Sequence, residues 1–211
     1  MRERQRENGR GTAARPLRWP GDPENVSAAD IDFEALAHVL ANTCRFGGRA
    51  RPYHSVAAHA AAVSEEIEAL DGLKPEDRRR LALHALIHDA PSAWLGRDLP
   101  ASTRAAKLAA GIAGAVRDAA GLDPAPADEE AELLRFVARM TEAAERRDLD
   151  DTDAGPGTAF PPLRRRIRPV GPGQAARLWL ARFRALAEPA REGHAETGQT
   201  QDKENGDGAG K

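Results

Sequence analysis

The sequence predicts an all-α fold, and two observations support that prediction. Aromatic residues make up only 4% of the 211 residues, so a core must be built mainly from Ala, Leu, Val and Ile, which favours closely packed helices over a β-sandwich or barrel. Apolar residues also recur at helical spacing through the middle of the chain, and no segment alternates with the period of a strand. We expect one helical domain over residues 17–188.

The first half of this domain is predicted to contain three helices. Asp30 is expected to cap a helix over residues 31–40, and a pair of glycines further along is expected to prevent that helix from continuing. A second helix is predicted over residues 55–70, where alanines permit close helix packing. A third is predicted over residues 74–90, because a proline stands at the first turn and acidic residues follow it.

The second half is predicted to contain three further helices. Residues 92–100 are expected to form a short connection, followed by a helix over residues 102–120. A fifth helix is predicted over residues 128–149 and a last one over residues 174–186. Residues 150–173 are rich in Pro, Gly and Arg, which indicates a long surface loop.

Both ends of the chain are expected to be disordered. Residues 1–16 are rich in Arg and poor in apolar residues, and residues 189–211 contain no large apolar residue. Such segments cannot offset the entropy cost of ordering by burying apolar surface.

Composition excludes several classes of protein. The net charge of −2 argues against a globally basic nucleic-acid binder. A single cysteine, Cys44, excludes an intrachain disulfide and a cysteine-rich zinc site. The sequence contains no run of 18 apolar residues, so no membrane span is expected. The first residues lack the apolar stretch of a signal peptide. We therefore expect a cytoplasmic protein.

The His88-Asp89 pair is the sharpest chemical feature of the sequence. It lies at the end of an apolar helix, where both side chains can turn towards one centre, and imidazole with carboxylate suits a divalent transition metal. The alternative is a helix end with a histidine matched to the helix dipole and a turn-forming aspartate. His59, on the preceding helix, favours the metal hypothesis, although a lone histidine there would more often be a core residue.

The segment Arg45-Phe46-Gly47-Gly48 is a candidate phosphate-binding element. An arginine at a helix end, held by an aromatic neighbour and followed by two glycines, can direct its planar guanidinium at a phosphate. An ordinary surface arginine in a turn is an equally good interpretation of these residues alone.

Several segments, taken in order, resemble the HD superfamily of metal-dependent phosphohydrolases, and within it the phage-type and bacterial 5′-deoxyribonucleotidase-like proteins. The resemblance covers residues 17–187, and the order and spacing of the segments make it specific. The matching segments are residues 22–24, 31–37, 44–48, 53–59, 85–90, 95–100 and 167–172.

The resemblance implies an all-helical HD domain with a divalent metal, which would be Mn, Co, Mg, Fe or Zn. His59, His88 and Asp89 match metal ligands, and Arg45 matches a phosphate-binding arginine. Asp98 matches an acidic residue near the substrate sugar or the attacking water. We also expect two aromatic residues to contact substrate: Phe46, beside Arg45, and Trp94, in the loop that would cover the pocket.

The sequence departs from the family pattern at two acidic positions. Ser92 stands where the family often has a glutamate that orients or deprotonates water. Ala138 stands where a fourth, aspartate ligand is expected, and Glu142, one turn later, is our candidate replacement. The alternative, which the local charge pattern favours, places Glu142 and Glu145 on a solvated face paired with neighbouring arginines.

The resemblance implies hydrolysis of a phosphomonoester, with a nucleoside 5′-monophosphate as the expected substrate class. The alternative is a degenerate module that binds a nucleotide or a protein partner without turnover, as the residues at positions 92 and 138 suggest. Nucleic-acid binding through the arginine-rich segment 163–168 is a weaker hypothesis, because Arg greatly outnumbers Lys throughout the chain. The family branch contains dimers, so a homodimer is a modest expectation.

Overall fold

The protein is a bundle of α-helices, as predicted. The structure is a computed structural model that describes residues 22–96, 102–122, 125–149 and 159–188. Within these ranges no β-strand forms, and one isolated bridge joins Cys44 to Ser55. The helices are α1 (Phe33–Asn42), α2 (Val56–Glu68), α3 (Pro75–Ile87), α4 (Ser92–Leu95), α5 (Thr103–Ala119), α6 (Asp128–Leu149) and α7 (Pro172–Ala187).

The caps explain where the helices begin. Ser55 and Ser102 accept backbone N–H groups at the starts of α2 and α5. The prediction that Asp30 caps the first helix is wrong, because Asp32 accepts the N–H groups of Glu34 and Ala35 instead. Asp30 bonds to Ser27 around a separate 3₁₀ turn, so the capping signal was displaced by two residues.

The core lies where α1, α2, α3 and α7 meet. Its residues are mostly Ala, Leu and Val, and the largest side chain is Trp179, which is fully buried and donates its indole N–H to the carbonyl of Leu86 at 3.0 Å. Small alanines on α2 let its neighbours approach closely, so α2 becomes the central helix of the bundle.

The segment after α6 is anchored to the bundle by charge and by a small second core. Leu163 and Ile167 are buried beside Ala62 of α2 and Leu149 of α6. Asp148 accepts the backbone N–H of Ile167 at 2.8 Å and also binds arginines of this region. The part of the predicted surface loop that is described, residues 159–171, is therefore irregular but partly buried.

Two sets of predictions fall outside the described residues. These are the disordered tails at residues 1–16 and 189–211, and the part of the predicted connection that contains Asp98. Among the helices of the described ranges, none combines the length and apolar character needed to cross a membrane.

Candidate metal centre

Three predicted ligands come together at the end of α3. One ligand atom from each of His59, His88 and Asp89 lies within 4.8 Å of the others. His59 projects from α2 and is buried, whereas His88 and Asp89 follow the last turn of α3 and are partly open to solvent. The cluster therefore has a closed side and an accessible side.

Hydrogen bonds set both imidazoles in the form that binds a metal. Nδ1 of His88 lies 2.6 Å from the carbonyl oxygen of Ala85, which can only accept, so Nδ1 carries the proton. Nδ1 of His59 lies 2.7 Å from a carboxylate oxygen of Glu145. Each neutral ring then presents its Nε2 lone pair, and such support of the second nitrogen is typical of metal-binding histidines.

A buried carboxylate, Glu145, lies behind the cluster. Its Oε1 accepts from His59 and, at 2.8 Å, from Nε2 of His54, while Oε2 accepts from Nε of Arg45 at 2.9 Å. The prediction of a solvated Glu145 is wrong, because the side chain is 0% exposed. The position could have been identified from its spacing, since Val137, Thr141 and Glu145 share one face of α6 and all three are buried.

Burial and neighbouring charges shift the pKa values of Glu145 and His59. Burial alone would raise the pKa of Glu145, but His59, His54 and Arg45 together hold it well below its usual range, so it is ionised. Burial lowers the pKa of His59, and the nearby Arg45 guanidinium acts in the same direction against the attraction of Glu145. A neutral His59 is the form that coordinates a cation.

Arg45 lies beside the candidate metal ligands rather than on an open surface. It is 3% exposed, and its Nη1 is 3.8 Å from Oδ2 of Asp89. Its position depends on a short pairing of the chain, in which the N–H of Arg45 donates to the carbonyl of His54 at 2.9 Å. That pairing brings Arg45 and His54 to the same carboxylate.

The turn after Arg45 is strained. Phe46, Gly47 and Gly48 have φ values of 56°, 58° and 73°, and the left-handed conformation is unfavourable for phenylalanine. Two guanidinium groups, those of Arg45 and Arg146, lie over the Phe46 ring at 5.2 and 5.1 Å from its centroid. These cation–π contacts help to hold Phe46 against Arg45.

The structure does not bring Glu142 into the metal group. The three ligands found among the described residues are His59, His88 and Asp89, while the Glu142 carboxylate is 2.9 Å from Arg146 and 3.8 Å from Arg139. Burial opposes its ionisation, but the hydrogen bond from Arg146 and nearby guanidinium groups lower its pKa. This is the arginine pairing that the charge pattern favoured.

The structure also places Trp94 and the two residues, Ser92 and Ala138, that stand at acidic positions of the family pattern. Trp94 lies in α4, half-buried, and packs against the main core. Ser92 begins the same short helix, and Ala138 is a partly buried residue packed against the core.

The other histidines and the arginine-rich segment also have defined environments. His38 is exposed, and His84 is a packed residue with 5% exposure. His54 is buried against Glu145. In the arginine-rich segment, Arg165 pairs with Glu65 and Glu66, and Arg166 pairs with Asp148.

Comparison with known proteins adds one relative. The chain is 29% identical over 177 residues to the uncharacterized protein YfdR of Escherichia coli (strain K12). The aligned region covers 78% of this chain and 89% of YfdR. No protein-family model matches the sequence.

Proposed function

We propose that this protein is a metal-dependent phosphohydrolase of the HD superfamily that acts on a phosphomonoester, with a nucleoside 5′-monophosphate as the substrate class. The observation that carries the proposal is the convergence of His59, His88 and Asp89 within 4.8 Å, beside a buried arginine. The sequence resemblance independently assigns these same residues to metal and phosphate binding.

The donor set fits a divalent cation. Two imidazoles and one carboxylate leave coordination positions open, as catalytic metal sites require. Imidazole donors favour Mn, Fe, Co or Zn over Mg, which prefers oxygen ligands. A cation held there would supply Lewis-acid activation of water and of a phosphoryl group.

The residues of the chain supply binding and orientation. Arg45, Glu145 and Asp89 together carry one net negative charge, so a divalent cation would make the centre positive and attractive to a phosphate dianion. The Arg45 guanidinium would offset charge that develops on the phosphoryl oxygens. The accessible side of the cluster, formed by the partly exposed His88 and Asp89, is where the phosphate would approach.

The experiment combines metal analysis with phosphate release. We expect the purified full chain, loaded with Mn²⁺ or Co²⁺, to retain metal after dialysis and to release inorganic phosphate from nucleoside 5′-monophosphates. H59Q, H88Q and D89N should each lose both properties. H38Q and D71N, which replace exposed residues of the same types, should behave as the unmodified protein. Absence of both bound metal and phosphate release would overturn the proposal.

A second candidate function is binding without turnover. Two acidic positions of the family pattern are absent: Ser92 lies on α4, and Ala138 contributes a methyl group to the core. Without a group able to deprotonate water at these positions, the site would still bind a metal and a nucleotide. Nucleotide-dependent thermal stabilisation with no product formed would favour this function over hydrolysis.

A further inference from the structure

Glu145 is a fully buried charge in the middle of the candidate site. It comes from α6 and reaches three other groups: Oε1 accepts from His59 at 2.7 Å and from His54 at 2.8 Å, and Oε2 accepts from Arg45 at 2.9 Å. Its two oxygens therefore point to two different parts of the candidate site.

Stability alone explains this arrangement poorly. Removing a carboxylate and a guanidinium from water is unfavourable, and a buried ion pair often contributes little net stability. Glu145 and Arg45 are 0% and 3% exposed, and the face of α6 that carries Glu145 is otherwise small or apolar. A role in orienting other groups is the better explanation for a charge kept at this position.

We propose that Glu145 is a positioning residue that couples metal binding by His59 to phosphate binding by Arg45. This inference rests on the proposed function. Oε1 keeps the proton of His59 on Nδ1, so that Nε2 is directed to the cation. Oε2 holds Nε of Arg45, so that the far end of the guanidinium stays 3.8 Å from Asp89.

His54 supports the same carboxylate from the other side. Its Nε2 lies 2.8 Å from Oε1 of Glu145, whereas its buried Nδ1 has no hydrogen-bond partner among the described residues. A carboxylate oxygen accepts hydrogen bonds, so Nε2 of His54 is the donor in this contact. The hydrogen bond that His54 makes through its ring is therefore the one to Glu145.

The test compares E145Q with E132Q, a substitution of an exposed glutamate on the same helix. Calorimetric titration of the metal-free full chain with Co²⁺ should show affinity reduced roughly 10- to 100-fold in E145Q, and within about twofold of the unmodified protein in E132Q. Titration of the Co²⁺-saturated proteins with inorganic phosphate should show E145Q weakened about tenfold as well.

The outcomes separate this inference from the proposed function. If the unmodified protein and E132Q bind no Co²⁺, the proposed metal site fails. If all three proteins bind Co²⁺ equally, the role of Glu145 fails while the metal site stands. Weaker Co²⁺ binding in E145Q with unchanged phosphate affinity would overturn the coupling to Arg45.

The unmodified protein provides a readout that does not depend on how well E145Q folds. Ring ¹⁵N chemical shifts of His59 in the metal-free protein, at about pH 8 and above the usual histidine pKa of about 6.5, should place the proton on Nδ1. A proton on Nε2 would overturn the positioning role directly.

Discussion

The Nη1 atom of Arg45 lies 3.8 Å from Oδ2 of Asp89, while Nε of the same guanidinium donates to Glu145 at 2.9 Å. One arginine thus joins a predicted metal ligand to a carboxylate from a helix 100 residues later in the chain. Only 3% of the surface of Arg45 is exposed, so its charge is costly to bury. It also lies next to the candidate metal ligands.

Removing Arg45 should therefore destabilise the fold. R45A leaves the fully buried Glu145 without its guanidinium partner, and breaking a buried ion pair typically costs about 3–5 kcal/mol of unfolding free energy. Urea denaturation followed by circular dichroism measures this loss. R49A, an exposed arginine of the same turn, should stay within about 0.5 kcal/mol of the unmodified protein. Equal stability of R45A and R49A would contradict the prediction.

His84 should make stability depend on pH. Burial, reinforced by Arg80 and Arg117 and opposed by Glu130, lowers the pKa of His84 to about 4. In the unfolded chain the value is about 6.5, so between these limits the unfolded state binds a proton that the folded state does not. Unfolding free energy should fall as pH falls through this window.

Comparison with H84Q isolates the contribution of this histidine. Between pH 7 and pH 5, the unmodified protein should lose about 1–2 kcal/mol more unfolding free energy than H84Q. H38Q, which replaces an exposed histidine, should keep the full pH dependence. Parallel pH profiles for the unmodified protein and H84Q would show that His84 is not buried in the neutral form.

Asp148 should hold the segment that follows α6. Its side chain is 3% exposed and accepts from Arg147 and Arg166 as well as from the N–H of Ile167. These donors hold its pKa well below the usual range. D148A should cost about 2–3 kcal/mol because the charged hydrogen bonds are lost together.

Amide hydrogen exchange at Ile167 distinguishes local from global effects of that substitution. The Ile167 amide should exchange much faster in D148A, because the carboxylate that accepts its hydrogen bond is removed. D128N, at the exposed start of the same helix, should leave that amide protected. Unchanged protection in D148A would mean that Leu163 and Ile167 hold the segment by packing alone.

Helical periodicity predicted the fold well because the helices are amphipathic and bounded by proline, glycine and serine. The α6 bounds match the prediction at residues 128–149, and α2 begins directly after its Ser55 cap. The misplaced cap at Asp30 has a local cause: two aspartates lie two residues apart, and each accepts backbone N–H groups of its own turn.

The candidate metal ligands were predicted from the sequence, but the residues packed behind them were not. His59, His88 and Asp89 were recognisable as local motifs of metal-binding residue types. Glu145 and His54 were missed. Spacing places Glu145 on the same face of α6 as Val137 and Thr141, but only the packing of α6 against α2 brings its carboxylate to both histidines.

The alanine at position 138 offers the sharpest test of the missing ligand. Ala138 lies seven residues before Glu145 and so almost on the same face of α6, where it packs against the core. An aspartate there would be unfavourable without a partner, so A138D should lower the melting temperature of the metal-free protein. If the carboxylate reaches the cation, Co²⁺ should restore that loss and bind about tenfold more tightly than in the unmodified protein.

A138N is the matched control for this gain, because it has nearly the same shape without the charge. Adding S92E to A138D should then raise phosphate release, since a carboxylate at position 92 can act as the base that serine cannot. If A138D binds Co²⁺ no more tightly than A138N, position 138 does not face the cation. The three ligands at the end of α3 would then be the whole protein contribution to the site from the described residues.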